Sequence, residues 1–207
     1  MDDMLEGVTW FRGSSVRIRR AGLEVHVDPI GVSDDSKADF ILLTHPHYDN
    51  FSERDIDRVR TPRTTVVAPA TMKKLLDDAD HFLRPGDMLQ LAGLDVLAVP
   101  AYNVDKRFHL PEQGWLGYVF TLGGVTFYHA GDTDFLPSMF GIRCDVAFLP
   151  CGGQYTMDPG QAARAAAACD ASIVVPIRWG EPHSTREEVE AMAPLIDGEL
   201  RILEREG

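Results

Sequence analysis

The feature that most constrains this chain is a short apolar run that ends abruptly in a polar loop. Residues 38–43 are apolar on both faces, as in a strand buried within a sheet, and residues 44–50 (THPHYDN) follow at once. A buried strand requires covering layers on both sides. The chemistry of the chain is therefore expected at the end of this strand.

The rest of the chain alternates short β-rich runs with a few helix-forming segments. Strands are predicted at residues 8–11, 15–18, 23–27, 64–68, 88–91, 94–99, 117–122, 125–129, 146–149, 172–177 and 200–203. Helices are predicted at residues 53–59, 70–78, 159–169 and 184–192, with Ser52, Asp158 and Ser184 as capping residues. This succession indicates two sheets packed face to face with helices outside, in a single domain covering residues 1–207.

The charge of the chain limits its partners. It has 32 acidic and 20 basic residues and a formal net charge of -12, so a nucleic-acid backbone would be repelled. Its apolar runs are shorter than the roughly 18 residues of a membrane span, and an acidic start argues against a secretory signal. We therefore expect a cytoplasmic protein with a small-molecule substrate, no nucleic-acid partner and no membrane partner, and a homo-oligomer is left open.

Two loops carry residues that suit a metal ion. His45, His47 and Asp49 alternate along an extended segment, so their side chains can converge on one cation. Imidazole suits Zn, Fe, Mn or Ni, whereas the alternative is a polar turn with two solvated histidines. Residues 128–134 (YHAGDTD) add Asp132 just after a second buried strand. The two loops together are more specific than either alone.

These loops resemble those of the metallo-β-lactamase fold hydrolases, and within them the ascorbate-6-phosphate lactonase-like branch. The matching segments, in order, are residues 9–11 with 14–15, 28–29, 44–49, 99–103, 117–118, 128–134, 149–150 with 152–153, and 175–177. The resemblance implies an α/β layered fold, the four-layer αββα sandwich, with a divalent ion held by His45, His47, Asp49 and Asp132. It also implies hydrolysis by a metal-activated water, with Zn favoured over Mn or Fe.

The chain departs from the family pattern at two positions that would serve the same second metal. Asn50 replaces the histidine that normally follows the aspartate, and Arg178 stands where a histidine usually follows the last matching strand. Arginine stays protonated and cannot be a metal ligand. Our hypothesis is a single-ion site in which Arg178 supplies positive charge beside Asp49 and Asp132. In the alternative, Arg178 points outward and Asn50 only caps the next helix.

A third departure concerns the remaining ligand of the first metal. Asn103 occupies a position where many relatives carry histidine, and His109, six residues later, could take that role. His183 could replace the missing C-terminal ligand, but its place just before a helix cap favours an exposed position, and His26, His81 and His129 are assigned no ligand role. The three cysteines (Cys144, Cys151 and Cys169) are expected to be buried thiols.

The sequence thus predicts a metal-dependent hydrolase of a small, anionic lactone, ester or phosphoester. Asp49 and Arg178 would be its catalytic residues. A cationic rim (Lys106, Arg107 and Arg178) and aromatic walls (Tyr48, Tyr102, Tyr155 and Trp179) are expected around the cleft. The competing interpretation is a degenerate member that keeps the fold and binds a ligand or partner without catalysis. A nuclease is disfavoured by the negative charge.

Overall fold

The computed structural model describes residues 3–180 and 182–206, which form two sheets packed face to face. The first sheet has the order β1 to β6, with strands at Val8–Trp10, Val16–Arg20, Leu23–Val27, Phe40–Leu42, Thr65–Pro69 and His81–Leu83. The second sheet is ordered from β13 at one edge to β7 at the other. In chain order, β7 to β13 span Met88–Leu91, Leu94–Pro100, Leu116–Leu122, Val125–His129, Val146–Pro150, Ile173–Ile177 and Glu199–Leu200.

Helices cover the outer faces of both sheets. Helix α1 (Glu53–Val59) packs in an apolar cluster on the first sheet, whereas α2 (Pro159–Ala168) and α3 (Arg186–Glu190) pack on the second. Strand β4 shows the layering, because Phe40 and Leu42 enter the cluster between the sheets while Ile41 faces α1. The predicted αββα sandwich is confirmed.

The strand directions bring the polar loops together. Strands β3 to β6 run parallel to one another, as do β10 to β13, so within each set the carboxyl ends lie at one edge. Asp28 follows β3, the THPHYDN loop follows β4, Asp132 follows β10 and Arg178 directly follows β12. Loops at the carboxyl ends of parallel strands are common places for binding sites.

Two helix predictions required correction. Residues 70–78 form only a short 3-10 turn at Ala70–Met72, and the strand at His81–Leu83 was not predicted. Asp77 and Asp78 would have lain in the last helical turn, where a carboxylate opposes the helix dipole. Helix α3 is capped by Thr185, with Glu188 as its partner, rather than by Ser184. The Ser184 hydroxyl instead donates to the carbonyl of Cys151, which fixes the preceding turn.

Two cap predictions are confirmed, whereas the last predicted strand is shorter and begins one residue earlier. Ser52 caps α1, and Asp158 forms the predicted capping box with Gln161 at the start of α2. Of the predicted strand at residues 200–203, the structure has only a two-residue strand at Glu199–Leu200. The three cysteines are buried and free. Among the described helices, none is long and apolar enough to span a bilayer.

Candidate metal centre

Three histidines converge at the edge where the two sheets meet. His45, His47 and His109 each offer a ring nitrogen, and these three atoms lie within 4.8 Å of one another. The rings meet edge to face, with centroids 4.8 to 5.0 Å apart. His45 and His109 are buried, and His47 is half-buried. The sequence-predicted pair and the third histidine are therefore brought together.

The buried carboxylate of Asp28 orients the His45 ring through Thr44. Asp28 accepts hydrogen bonds from the backbone and the hydroxyl of Thr44, at 2.7 and 2.5 Å. Because that hydroxyl donates to Asp28, it can accept from His45 Nδ1 at 2.9 Å. The proton on Nδ1 leaves Nε2 with a free lone pair. Burial raises the pKa of Asp28 to about 7, although the bonds from Thr44 and Asn50 act against the rise.

Asn103 holds His109 through its amide nitrogen, while its amide oxygen is buried without a hydrogen-bond partner. Its amide nitrogen donates to the carbonyls of Phe108 and Tyr155, at 2.9 and 2.7 Å, and contacts His109 Nδ1 at 3.3 Å. His109 has a φ of 57°, in the left-handed region that few non-glycine residues adopt. This backbone conformation, held by the Asn103 bonds, turns the imidazole towards His45 and His47.

Asp132 lies between these histidines and Arg178. Its Oδ2 is 3.4 Å from His109 Nε2, 3.7 Å from His45 Nε2 and 2.7 Å from Arg178 Nη2. Its Oδ1 accepts from the Ser14 hydroxyl at 3.0 Å. Burial alone would raise the pKa of Asp132, but the Arg178 guanidinium, followed by the two histidines, holds it well below its usual range. Asp132 is therefore a buried carboxylate.

Arg178 points into the site. Its Nη1 donates to Asp49 Oδ2 at 2.7 Å and to Asn50 Oδ1 at 2.9 Å, and Asn50 in turn donates to Asp28. Arg178 itself has a φ of 57° and is 8% exposed. The outward orientation is thus wrong, and the cap of the next helix is Ser52, not Asn50. The two residues that replace the expected histidines contact each other.

The donor atoms fit a divalent cation. His45 Nε2 and His109 Nε2 are buried without a hydrogen-bond partner, although buried polar atoms are normally satisfied, and Oδ2 of the Asp132 carboxylate beside them is paired with Arg178. Burial lowers the pKa of His45 to about 3 and also lowers that of His47. Both imidazoles are therefore neutral at pH 7, as metal binding requires. Imidazole nitrogens with a carboxylate oxygen suit zinc or a similar first-row ion.

A cavity of about 340 Å³ opens beside these donors. It is lined by His47, Tyr48, Asp49, Phe108, His109, Tyr155 and Arg178. Tyr48 and Tyr155 thus form aromatic walls as predicted, whereas Trp179 stacks on Trp10 and Tyr102 packs against the outer core of the second sheet. Of the predicted cationic rim, Lys106 pairs with the buried Asp134. Arg107 is exposed and does not line the cavity.

Two residues of the site were missed by sequence reasoning. Trp115 is buried beneath the histidines, with its ring centroid 4.7 to 5.3 Å from all three. Phe108 stands directly before His109 and enters the cavity wall. Nothing in the local pattern marks Trp115, because it precedes a strand like any other aromatic residue. The position of Phe108 between two candidate site residues was a usable signal.

Comparison with known proteins identifies the family of this chain. The family model described as "Beta-lactamase superfamily domain" matches residues 7–178, from the start of β1 to Arg178. The chain belongs to the beta-lactamase superfamily. Among its relatives, a UPF0173 metal-dependent hydrolase of Geobacillus sp. (strain WCH70) is 32% identical, over 95% of this chain and 96% of its own. The counterpart in Nitratidesulfovibrio vulgaris (strain Hildenborough) is 31% identical, over 96% and 95%.

Solved structures of the superfamily support the same conclusion. A protein of Parabacteroides distasonis, assigned as a metal-dependent hydrolase, superposes with a TM-score of 0.86 at 30% identity, covering 96% of this chain and 93% of its own. Igni18, a metallo hydrolase from Ignicoccus hospitalis, has a TM-score of 0.77 at 24% identity over 97% and 95%, and shows the fold alone. By its similarity to these relatives, the chain belongs to the UPF0173 metal-dependent hydrolase family, whereas the narrower lactonase-like resemblance stays a prediction.

Proposed function

We propose that this protein hydrolyses a small lactone, ester or phosphoester with one divalent ion held by His45, His47 and His109 beside Asp132. The observation that carries this proposal is the pair of buried, unpartnered ring nitrogens on His45 and His109, which lie beside the Asp132 carboxylate and next to the cavity. Zinc is the expected ion, with manganese or iron as alternatives. When bound, such an ion lowers the pKa of water towards neutrality.

The acidic residue at the cavity has the position of a general base. Asp49 Oδ2 accepts a hydrogen bond from Arg178. Asp49 also lines the cavity, where its carboxylate can orient a water molecule and accept its proton. Asp49 is part-exposed, which lets it exchange that proton with solvent or with the leaving group. Its ion pair with Arg178 fixes the orientation of the carboxylate.

Arg178 has the charge and place to stabilise the transition state. Its guanidinium lines the cavity, so negative charge that develops on a substrate oxygen would lie beside a permanent cation. A second divalent ion would lie next to the Arg178 guanidinium, and it would have no histidine ligand from position 50 or 178. Repulsion between like charges therefore favours one ion. Since Lys106 and Arg178 are both paired with carboxylates, they do not support the expected anionic substrate.

The test uses metal-stripped protein that is reloaded separately with Zn²⁺, Mn²⁺ or Fe²⁺. We expect hydrolysis of at least one lactone, carboxylic ester or phosphoester in a broad panel, lost on stripping and restored by one ion. His45→Ala with His47→Ala should abolish it, and Asp49→Asn should lower kcat by about 10²-fold or more without loss of the ion. A bound ion with no hydrolysis across the panel would instead favour the non-catalytic binding protein.

A further inference from the structure

The cavity beside the candidate metal centre has two chemically different walls. One side carries His47, Asp49, His109 and Arg178, and the other is formed by the aromatic rings of Tyr48, Phe108 and Tyr155. Phe108 is 50% exposed and Tyr48 is 91% exposed, so much of this apolar surface faces solvent. Exposed apolar surface that continues into a cavity commonly marks a place where a ligand binds.

We propose that Phe108, Tyr155 and Tyr48 form a subsite for an aromatic or similarly bulky apolar substituent of the substrate. The proposal rests on the proposed function and names its substrate class: a neutral ester or lactone whose reacting carbonyl lies beside Arg178 and whose apolar group lies against Phe108. A cavity of about 340 Å³ limits the substrate to a small molecule, since ligand pockets span about 300–1,000 Å³.

The two inner rings form a defined corner. Phe108 and Tyr155 meet edge to face, with centroids 5.3 Å apart and an interplanar angle of 80°. This is a favourable arrangement for an aromatic pair, and a third ring can stack on the exposed face of Phe108. Tyr155 also meets His183 edge to face, with ring centroids 6.3 Å apart.

The same polar group fixes the aromatic corner and the histidine. The Asn103 amide donates to the carbonyls of both Phe108 and Tyr155 while contacting His109. Val104 N and Lys106 also bond to the buried Asp134, which anchors the loop between Asn103 and His109. The apolar wall therefore has a fixed position relative to His109, the candidate metal ligand, as a subsite must have to orient a substrate.

Charge also favours an apolar group at this end. Among the described residues that line the cavity, Asp49 and Arg178 carry the full charges, and they bind each other. Lys106, the nearest predicted rim cation, is paired with Asp134. A phosphate or carboxylate tail beside Phe108 would thus lose water without gaining a free cation, whereas a phenyl group would gain from leaving water.

The test compares two esters that share a leaving group and differ by one ring, methyl propanoate and methyl hydrocinnamate. We expect the reloaded protein to favour methyl hydrocinnamate in kcat/KM by about tenfold, the gain from partial burial of a phenyl group. Phe108→Ala should reduce this ratio to near one, and Phe108→Tyr should retain most of it. Phe140→Ala removes another exposed aromatic ring outside the cavity, and should keep the wild-type ratio.

A second measurement separates this proposal from the proposed function. Hydrocinnamyl alcohol and propanol are titrated against the metal-free protein by ligand-detected NMR. Tighter binding of the aromatic alcohol, lost in Phe108→Ala, would support the subsite even if no ester were hydrolysed. Equal binding of the two alcohols, or an ester ratio near one in the wild type, would overturn the subsite while leaving the hydrolase proposal standing.

Discussion

His45 and Arg178 lie on opposite sides of the buried carboxylate of Asp132, and the two sides differ in what their side chains still lack. On the histidine side (His45, His47 and His109), three ring nitrogens converge, and those of His45 and His109 are buried without hydrogen-bond partners. On the arginine side (Asp49, Asn50 and Arg178), the carboxylate, the amide and the guanidinium bind one another. The first side needs a cation from outside, whereas the second has one of its own.

This difference explains why two substitutions occur together. Replacing only one of the two expected histidines would leave an incomplete ligand set beside Asp49 and Asp132. With both replaced, Asn50 Oδ1 accepts from Arg178 while its amide donates to Asp28, so all three groups are satisfied. The substituted side is therefore a closed network, and we expect perturbations to affect the two sides differently.

The largest expected effect is a loss of stability when Arg178 is removed from the arginine side. Arg178→Ala would leave the buried Asp132 without its strongest cationic neighbour, which should lower the free energy of unfolding by about 3–5 kcal/mol. Chemical denaturation of the metal-free protein measures this loss. Arg186→Ala is the matched control, because Arg186 also binds two carboxylates but on an exposed helix. Equal losses in both variants would mean that the arginine side is not a buried network.

An intermediate effect is expected when the support of the histidine side is removed. Thr44→Val keeps the shape of the side chain but deletes the hydroxyl that links Asp28 to His45 Nδ1. The affinity for Zn²⁺ should fall about 10–100-fold, since groups that orient a ligand have effects of this size. Competition with a metal-binding dye measures it. Thr64→Val, which also loses a buried hydroxyl bond but outside the site, should leave the affinity unchanged.

The effect that is smallest near neutral pH concerns His129, whose ring bonds to Ser14, the residue that also bonds to Asp132. His129 Nε2 donates to the Ser14 carbonyl while Nδ1 accepts from Gly131 N, and burial lowers the pKa of His129 to about 4. The unfolded chain takes up this proton near pH 6.5, so acidification from there towards pH 4 favours unfolding. Relative to His129→Gln, the metal-free wild type should lose up to about 1.4 kcal/mol per pH unit in that window. A constant difference between the two proteins across that window would contradict this assignment.

Local signals in the sequence were sufficient for much of the fold. The capping residues Ser52 and Asp158 fixed the starts of α1 and α2, because a side-chain acceptor at a helix N-terminus acts within one turn. The same reasoning placed the last cap one residue too early, at Ser184, because neighbouring Ser184 and Thr185 are both followed three residues later by a glutamate. Only packing, here the Ser184 bond to Cys151, separates the two.

The site was predictable where its residues lie in one loop or one recognised pattern, and less so elsewhere. His45 and His47 follow from their spacing, but the choice between Asn103 and His109 depends on a left-handed backbone at His109 that periodicity does not reveal. Trp115 reaches the histidines only through the tertiary fold. The inward orientation of Arg178 likewise follows from its left-handed backbone and from partners 128 and 129 residues away.

The central claim is that the arginine side replaces a second metal ion, and the most direct test is to count metal per chain. Protein purified without a histidine tag or chelator, then saturated with Zn²⁺ and freed of excess, would be analysed by mass spectrometry beside the Asn50→His/Arg178→His double variant. The account predicts about one equivalent in the wild type and an increase towards two in the double variant. Two equivalents in the wild type would contradict it.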